Sequence, residues 1–418
     1  MSDATDKLIE RPAAVADSHI AMPSGPAAQG RRMSYPFDQI VFDPRDVDLA
    51  RSPLAGHIDA ETYCLGAFNP GMTRLPNGNL LLMVRIAEAL RTPIVDQHIH
   101  AIRWVSGEEQ PAGGELQPGT GTYCLDAWPL EMVDTSDPRK FMMRSAGWRV
   151  MALTSLSWLL PVELDAEGRS VVDVHYQDAI VPRASYQCYG VEDARISHIG
   201  NRWLMTTCSV SPERHSTTLY SSNDAHDWLL EGIVLDHQNK DMLIFEDRIG
   251  ANYWAQTRPL GDLYFAYPPG GEWRAGPSIN LATSPDALHW KPLDRPGIRP
   301  HAATLATARM GGGTPPIPTD KGWLTLWHGV EPSGVVGIYR TYWSLLDARD
   351  PSITVATADT PLLEPAPHLT EPIKDLMYLD NVVFTTGIAD AGDHYIVASG
   401  EADLACRITH VPKSVFGL

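Results

Sequence analysis

Apolar positions in this chain fall in short aromatic and β-branched runs bounded by Gly, Asp, Asn and Pro. Few stretches sustain a helical period, so the pattern predicts strands throughout. A turn followed by an apolar strand recurs as NGNLLLMVR (Asn77–Arg85), GNRWLMTT (Gly200–Thr207), GANYWAQTR (Gly250–Arg258), KGWLTLWHG (Lys321–Gly329) and GDHYIVASGE (Gly392–Glu401). The last three intervals, between the glycines at 250, 322 and 392, are about equal and close to one four-stranded blade with long loops. A second repeat, SSNDAHDW (Ser221–Trp228) and TSPDALHW (Thr283–Trp290), shares the pattern Ser-x-Asp-x-x-x-Trp. It predicts a blade turn in which Asp accepts backbone amides and Trp packs between blades.

The expected fold is therefore all-β, a five-bladed β-propeller with an insertion in the N-terminal part. The long interval from Gly78 to Gly200 places that insertion at about residues 86–151. His98 and His100 fall inside it, an i, i+2 pair with no third ligand, and are read as structural. Residues 1–34, rich in Ala, Pro, Gly and polar side chains, predict a disordered or loosely docked arm ahead of a single catalytic domain, 35–418.

Composition narrows the function. The 418 residues are 44% hydrophobic, enough for a large core, and 33 Lys+Arg against 51 Asp+Glu give a formal charge of −18. Such a charge repels phosphate backbones and anionic lipid, which argues against nucleic acid or membrane as partner. Cys64, Cys124, Cys188, Cys208 and Cys406 lie far apart without metal spacing and read as reduced thiols. The first thirty residues carry acids and no continuous apolar run, so neither a signal peptide nor a spanning helix is expected, and placement is cytoplasmic.

If each repeated strand is the innermost of its blade, polar residues six to nine positions past the turn glycine converge at a channel mouth: Arg85, Thr207, Thr257 with Arg258, His328, and Ser399 to Glu401. Asp193 and Arg195 precede the second copy, and NKDMLIFEDRIG before the third adds Lys240, Asp241, Glu246 and Asp247. Carboxylates and cations among many Trp and Tyr suit sugar chemistry, in which an acid protonates a leaving oxygen and aromatic faces stack on the ring.

From about Phe68 onward the chain resembles glycoside hydrolase family 130, five-bladed propellers that include β-mannoside phosphorylases and β-mannosidases. The resemblance is carried by FNPG (Phe68–Gly71), LLLMVR (Leu80–Arg85), LTSLS (Leu153–Ser157), YGVEDAR (Tyr189–Arg195), NKD (Asn239–Asp241), TRP (Thr257–Pro259), ATSPDALHW (Ala282–Trp290), GGGTPPIPTDKGWLTLWHGV (Gly311–Val330) and DNVVFTTG (Asp380–Gly387), in that order. It implies that Asp193 is the general acid, passing its proton through a sugar hydroxyl in the phosphorylases. It also implies that Asn69 and Arg85 line the subsite of the transferred sugar, that Asp403 joins them, and that Lys240 and Arg258 bind phosphate. Arg195, Asp241 and His328 are grouped with the substrate-binding residues.

Two departures bear on the reaction. Gln256-Thr257 stands where the phosphorylases have Leu-His, and Trp158-Leu159-Leu160 where the family often has His-Leu-Arg. Each lost charge-assisted bond to phosphate is worth about 1.5–3 kcal/mol, which disfavours phosphorolysis. The preferred expectation is an inverting exo-acting hydrolase on a β-mannoside, with water activated by Glu246, Glu401 or Asp247, in that order. The alternatives are a phosphate-dependent phosphorylase releasing a sugar 1-phosphate and a non-catalytic sugar-binding propeller. No metal or organic cofactor is implied, inorganic phosphate enters only as co-substrate of the phosphorylase, and a homo-oligomer is left open.

Overall fold

The computed structural model describes residues 34–107, 121–144, 150–235, 239–259, 278–299 and 309–418. Apart from Ser34, the arm expected at 1–34 lies outside the described residues. The described chain is built from antiparallel strands, with one short α-helix, Pro367–Thr370, and isolated 3-10 turns.

Five larger sheets follow one another along the chain. Sheet one holds Thr62–Arg74, Leu80–Leu90, Ser155–Leu164 and Val171–Val174. Sheet two holds Val191–Ile199, Arg202–Val210, His215–Ser222 and Leu229–Leu235. Sheet three holds Asn239–Ile244, Tyr253–Pro259, Ile279–Ser284 and Lys291–Ile298. Sheet four holds Arg309–Gly312, Gly322–Glu331, Ile338–Leu346 and Thr354–Thr357, with Ile317–Thr319 paired alongside. Sheet five holds Val383–Asp390, His394–Glu401 and Ala405–Pro412, and its far edge is completed by Asp38–Phe42 from the N-terminal side.

The five repeated turn–strand segments are each the second strand of a sheet, not the first as the repeat suggested. The first strands carry fewer apolar residues in a row and so gave a weaker pattern. The second strands are the more regular ones because both of their faces are buried: Leu80, Leu82 and Val84 face sheet five while Leu81 and Met83 face sheet two.

Each seam has its own apolar core. Leu82, Trp158 and Leu160 of sheet one meet Ile396, Ala398 and Ile408 of sheet five. Met83 and Leu159 meet Ile196 and Met205 of sheet two. Leu204 and Leu219 meet Met242 and Ala255 of sheet three. Ile279 and Leu281 meet Trp323 and Trp327 of sheet four. Leu324 and Leu326 meet Val383 and Val397 of sheet five.

The Ser-x-Asp-x-x-x-Trp turns form as expected. Asp224 Oδ1 accepts the amides of His226 and Asp227 and Asp286 Oδ1 those of Leu288 and His289, while Trp228 and Trp290 donate Nε1–H to the carbonyls of Ala225 and Ala287. Trp228 packs into the seam between sheets one and two, and Trp290 into that between two and three.

The inserted material starts later than residue 86. Ile86 to Ala89 continue the strand and pair with Trp158 to Ser155, and the chain leaves after Leu90 to form two three-stranded sheets. These hold Ile94–Val95, His98–Ser106 and Gly121–Pro129, then Val133–Asp134, Lys140–Met143 and Val150–Leu153. His98 and His100 make backbone contacts there, to Asp96 O and Pro93 O.

Candidate functional site

The first strands of sheets one, two and three share one irregularity. Each ladder slips, between Phe68 and Gly71, Glu192 and Arg195, and Lys240 and Leu243, and in each slip one residue takes a left-handed backbone: Asn69 (φ 49°), Asp193 (φ 52°) and Asp241 (φ 55°). Asn and Asp tolerate this conformation better than other side-chain-bearing residues, and such bulges re-aim side chains beside active sites. The motifs FNPG, VEDAR and NKD are thus three copies of one local structure. Another positive-φ residue, Asp403 (φ 48°), stands in the tight turn after His394–Glu401.

These side chains interlock across the seams. Asn69 Nδ2 donates to Asp193 Oδ1 at 2.9 Å, and Arg85 Nη1 donates to the same oxygen at 3.0 Å. Arg85 also donates to Glu192 Oε1 at 2.8 Å and to Ser157 Oγ at 3.0 Å, and Lys240 Nζ reaches Glu192 Oε2 at 3.2 Å. Arg195 lies behind them, donating Nε–H to Gly313 O at 2.7 Å with Nη2 3.6 Å from Asp241 Oδ1. Arg258 Nη1 stands 3.0 Å from Asp241 Oδ2 and 3.2 Å from His328 Nε2. Arginine can only donate, so His328 Nε2 accepts and the imidazole is neutral, in keeping with burial that holds its pKa well below the ordinary value.

A cavity of about 900 Å³ opens over this network. Asn69, Arg85, Glu192, Asp193, Lys240, Asp241, Arg258 and Asp403 line it, along with Phe68, Tyr189, Tyr339, Tyr378 and Phe384. Burial disfavours the charged form of Asp193, but Arg85, Lys240, Arg195 and the Asn69 hydrogen bond outweigh it and hold the carboxyl below its usual range. Glu192 is held low in the same way by Arg85 and Lys240. Asp403 goes the other way: burial and the charge of Asp193 push it up to about 6, although Arg85 opposes them.

Other expected residues sit elsewhere. His328 and Arg195 support the lining from behind, with side chains 0% and 1% exposed. Neither leading candidate base is at the cavity. Glu401 accepts from Arg407 Nη1 at 2.9 Å and from the Ala366 amide, a structural tie between sheet five and the start of the short helix. Glu246 follows the end of its strand, where its amide bonds Pro316 O, and burial raises its carboxyl to about 8. The third candidate, Asp247, is solvent-exposed and also off the lining. Residues on second strands point past the first strand, and of those read from the repeat only the long Arg85 and Arg258 side chains reach the lining; Thr207, Thr257 and Ser399 are buried.

Cavity residues that the repeat could not reveal include Arg309, at the start of sheet four, and Arg139 and Lys140 from the insertion. Arg309 stands just ahead of the Gly311–Gly313 run already marked by the resemblance, the one signal that pointed near it. Arg214 and His215 of SPERHS also line the cavity. By contrast, Trp158, Leu159, Leu160, Gln256 and Thr257 are all buried off the lining, so the cations absent at those positions say little about this cavity's capacity for phosphate.

Residues 163–416 match the family model of glycoside hydrolase family 130, described as beta-1,4-mannooligosaccharide phosphorylase. A beta-1,2-mannobiose phosphorylase of Listeria innocua is 30% identical over 349 residues, 81% of this chain and 86% of that protein. A 1,2-beta-oligomannan phosphorylase of Thermoanaerobacter sp. is 31% identical over 217 residues, 51% of this chain and 65% of that protein. The solved structure of the Listeria innocua beta-1,2-mannobiose phosphorylase with beta-1,2-mannobiose superposes with a TM-score of 0.71 at 26% identity, covering 90% of this chain and 97% of that one. These relatives weigh against the expectation of hydrolysis and favour its phosphorolytic alternative. With the motif order and the family model in agreement over most of its length, the chain belongs to glycoside hydrolase family 130.

Proposed function

We propose that this protein is a β-mannoside phosphorylase that uses inorganic phosphate to release a mannose 1-phosphate, with β-1,2-linked mannobiose or short oligomannan as substrate. The observation that carries the reading is the make-up of the cavity: Asp193 stands with Asn69 and Arg85, the wall adds Lys240, Arg258 and Arg309, and both leading candidates for a water-activating base, Glu246 and Glu401, face elsewhere. An inverting hydrolase needs a water-activating carboxylate across the sugar from the acid, and none of the three expected for that role lines the cavity, whereas in a phosphorylase the phosphate, which these cations suit, is itself the nucleophile.

In this mechanism a phosphate oxygen attacks the anomeric carbon as the glycosidic C–O bond breaks on the opposite face. The proton of Asp193 ends on the leaving oxygen, directly or through a sugar hydroxyl. Arg85, Lys240 and Arg195 favour the ionised form of Asp193, so it must take up a proton from solvent before it can act as acid. A phosphate anion seated at Lys240 and Arg258 offsets that positive field, raising the proton affinity of Asp193 as the complex assembles. Asn69 fixes the orientation of the carboxyl, and the aromatic wall gives the sugar faces to stack on.

We further read residues 35–418 as one five-bladed β-propeller. Support comes from the five seams, which run one to two, two to three, three to four, four to five and five to one, and from the strand Asp38–Phe42 that joins the last sheet. Among the described residues no helix is long and apolar enough to cross a membrane.

The test is to incubate the enzyme with β-1,2-mannobiose, with and without phosphate, and to resolve the products. Mannose 1-phosphate formed only with phosphate is the expected result. Free mannose released at the same rate in both samples would restore the hydrolytic reading.

A further inference from the structure

The turn between the third and fourth strands of sheet one meets sheet five at Glu167, His394 and His410, where one ligand atom from each lies within 4.8 Å of the others. None of the three lines the sugar cavity. The two rings stack with centroids 4.5 Å apart. Asp393 Oδ1 lies 2.6 Å from His394 Nδ1 and orients that ring from outside, while His410 Nε2 lies 2.8 Å from the backbone oxygen of Glu167. A carboxylate accepts, so His394 carries its proton on Nδ1. Its Nε2 is left as a lone pair, buried without a hydrogen-bond partner and 4.0 Å from Glu167 Oε2.

A histidine whose outer nitrogen is held by a carboxylate and whose inner nitrogen faces a second imidazole and a glutamate has the arrangement of a metal ligand. We infer that Glu167, His394 and His410 form a divalent-cation site, and two imidazoles with one carboxylate match Zn²⁺ best. Arg169 places a cation near His410, which the Glu167 and Asp393 carboxylates outnumber. Closing the site takes mainly a swing of Glu167, whose side chain is 52% exposed, with His410 exchanging its bond to the carbonyl for the ion. The similar group His175, Asp178 and His226 is less open, because His175 Nε2 already faces Glu163 Oε2 at 3.3 Å.

The site straddles the seam between sheet one and sheet five, the sheet that Asp38–Phe42 completes, so a bound ion clips together parts of the chain far apart in sequence. The experiment uses untagged, EDTA-stripped full-length protein titrated with ZnCl₂ by calorimetry and thermal melting. A saturable site is expected, together with a Tm that climbs with zinc concentration. His394→Gln and Glu167→Gln are expected to weaken binding at least 100-fold, and Asp393→Asn, which removes only the outer partner, about 10–100-fold. Glu167 and Asp393 are exposed, so their variants keep the test intact even if His394→Gln destabilises the strand. Zinc binding that is absent, or unchanged in Glu167→Gln and Asp393→Asn, overturns the assignment.

Discussion

Replacing Asp403 by asparagine tests the electrostatics of the cavity through stability as well as activity. The carboxyl is pushed up to about 6 by burial and by Asp193, with Arg85 opposing, while an unfolded aspartate titrates near 3.9. Between those values the folded protein holds a proton that the unfolded chain has released, so stability falls as pH rises through this window. At pH 7 the ionised group therefore costs the native state about two pKa units at 1.36 kcal/mol each, about 2–3 kcal/mol. Asparagine, close in shape to the protonated acid, carries no such cost. Urea melts of the two proteins should nearly coincide at pH 4 and separate as pH rises, with Asp403→Asn the more stable by about 2–3 kcal/mol at pH 7. Turnover should fall, because Asp403 lines the cavity; stability gained by removing an active-site charge is a recognised trade-off. A variant no more stable than the parent at pH 7, or one whose advantage shrinks as pH rises, would refute the argument.

Asp193→Asn should cut kcat by at least about 10²-fold, with far-UV circular dichroism unchanged, and wild-type turnover in that variant would remove Asp193 from the acid role. Arg258→Met should raise the KM for phosphate about 10-fold or more, while the KM for the sugar moves less, since one charge-assisted bond is worth about 1.5–3 kcal/mol; steady-state kinetics with each substrate varied in turn resolves the two. Gly400→Ala acts indirectly: a Cβ there would lie 2.1 Å from Asn69 Oδ1 and 2.9 Å from Asn69 N, so Asn69 must give way and loosen its hold on Asp193. The expected result is a lower kcat with a small drop in Tm, and unaltered kinetics would show that the Asn69–Asp193 bond is dispensable.

Much of the local structure was legible in advance. The five apolar segments are all strands, because a short apolar run bounded by turn residues has few other ways to bury itself, and the Ser-x-Asp-x-x-x-Trp turns follow from bonds between near neighbours in the chain. Asn69 and Asp193 were reached through the resemblance and Asp241 through the segment ahead of the third copy, but that all three occupy one kind of left-handed bulge is visible only in the fold. Strand rank within a sheet could not be read, since hydrophobic period is the same for a first and a second strand. That ambiguity put His328 on the cavity wall when it stands behind it, and drew Glu401 into the chemistry when its partner is Arg407.

The preference for hydrolysis, which the phosphorylase relatives weigh against, rested on a related assumption. Counting absent cations at 158–160 and 256–257 assumed that those positions face the cavity, whereas the fold buries them and supplies Arg309, Arg139 and Lys140 from segments distant in sequence. Strand content, turn chemistry and motif order are properties of neighbouring residues, and the sequence by itself determined them. Which carboxylate meets which cation, and which of them meet the solvent, depends on contacts between segments more than a hundred residues apart, such as Asn69 with Asp193, and only the packing of whole sheets decides those.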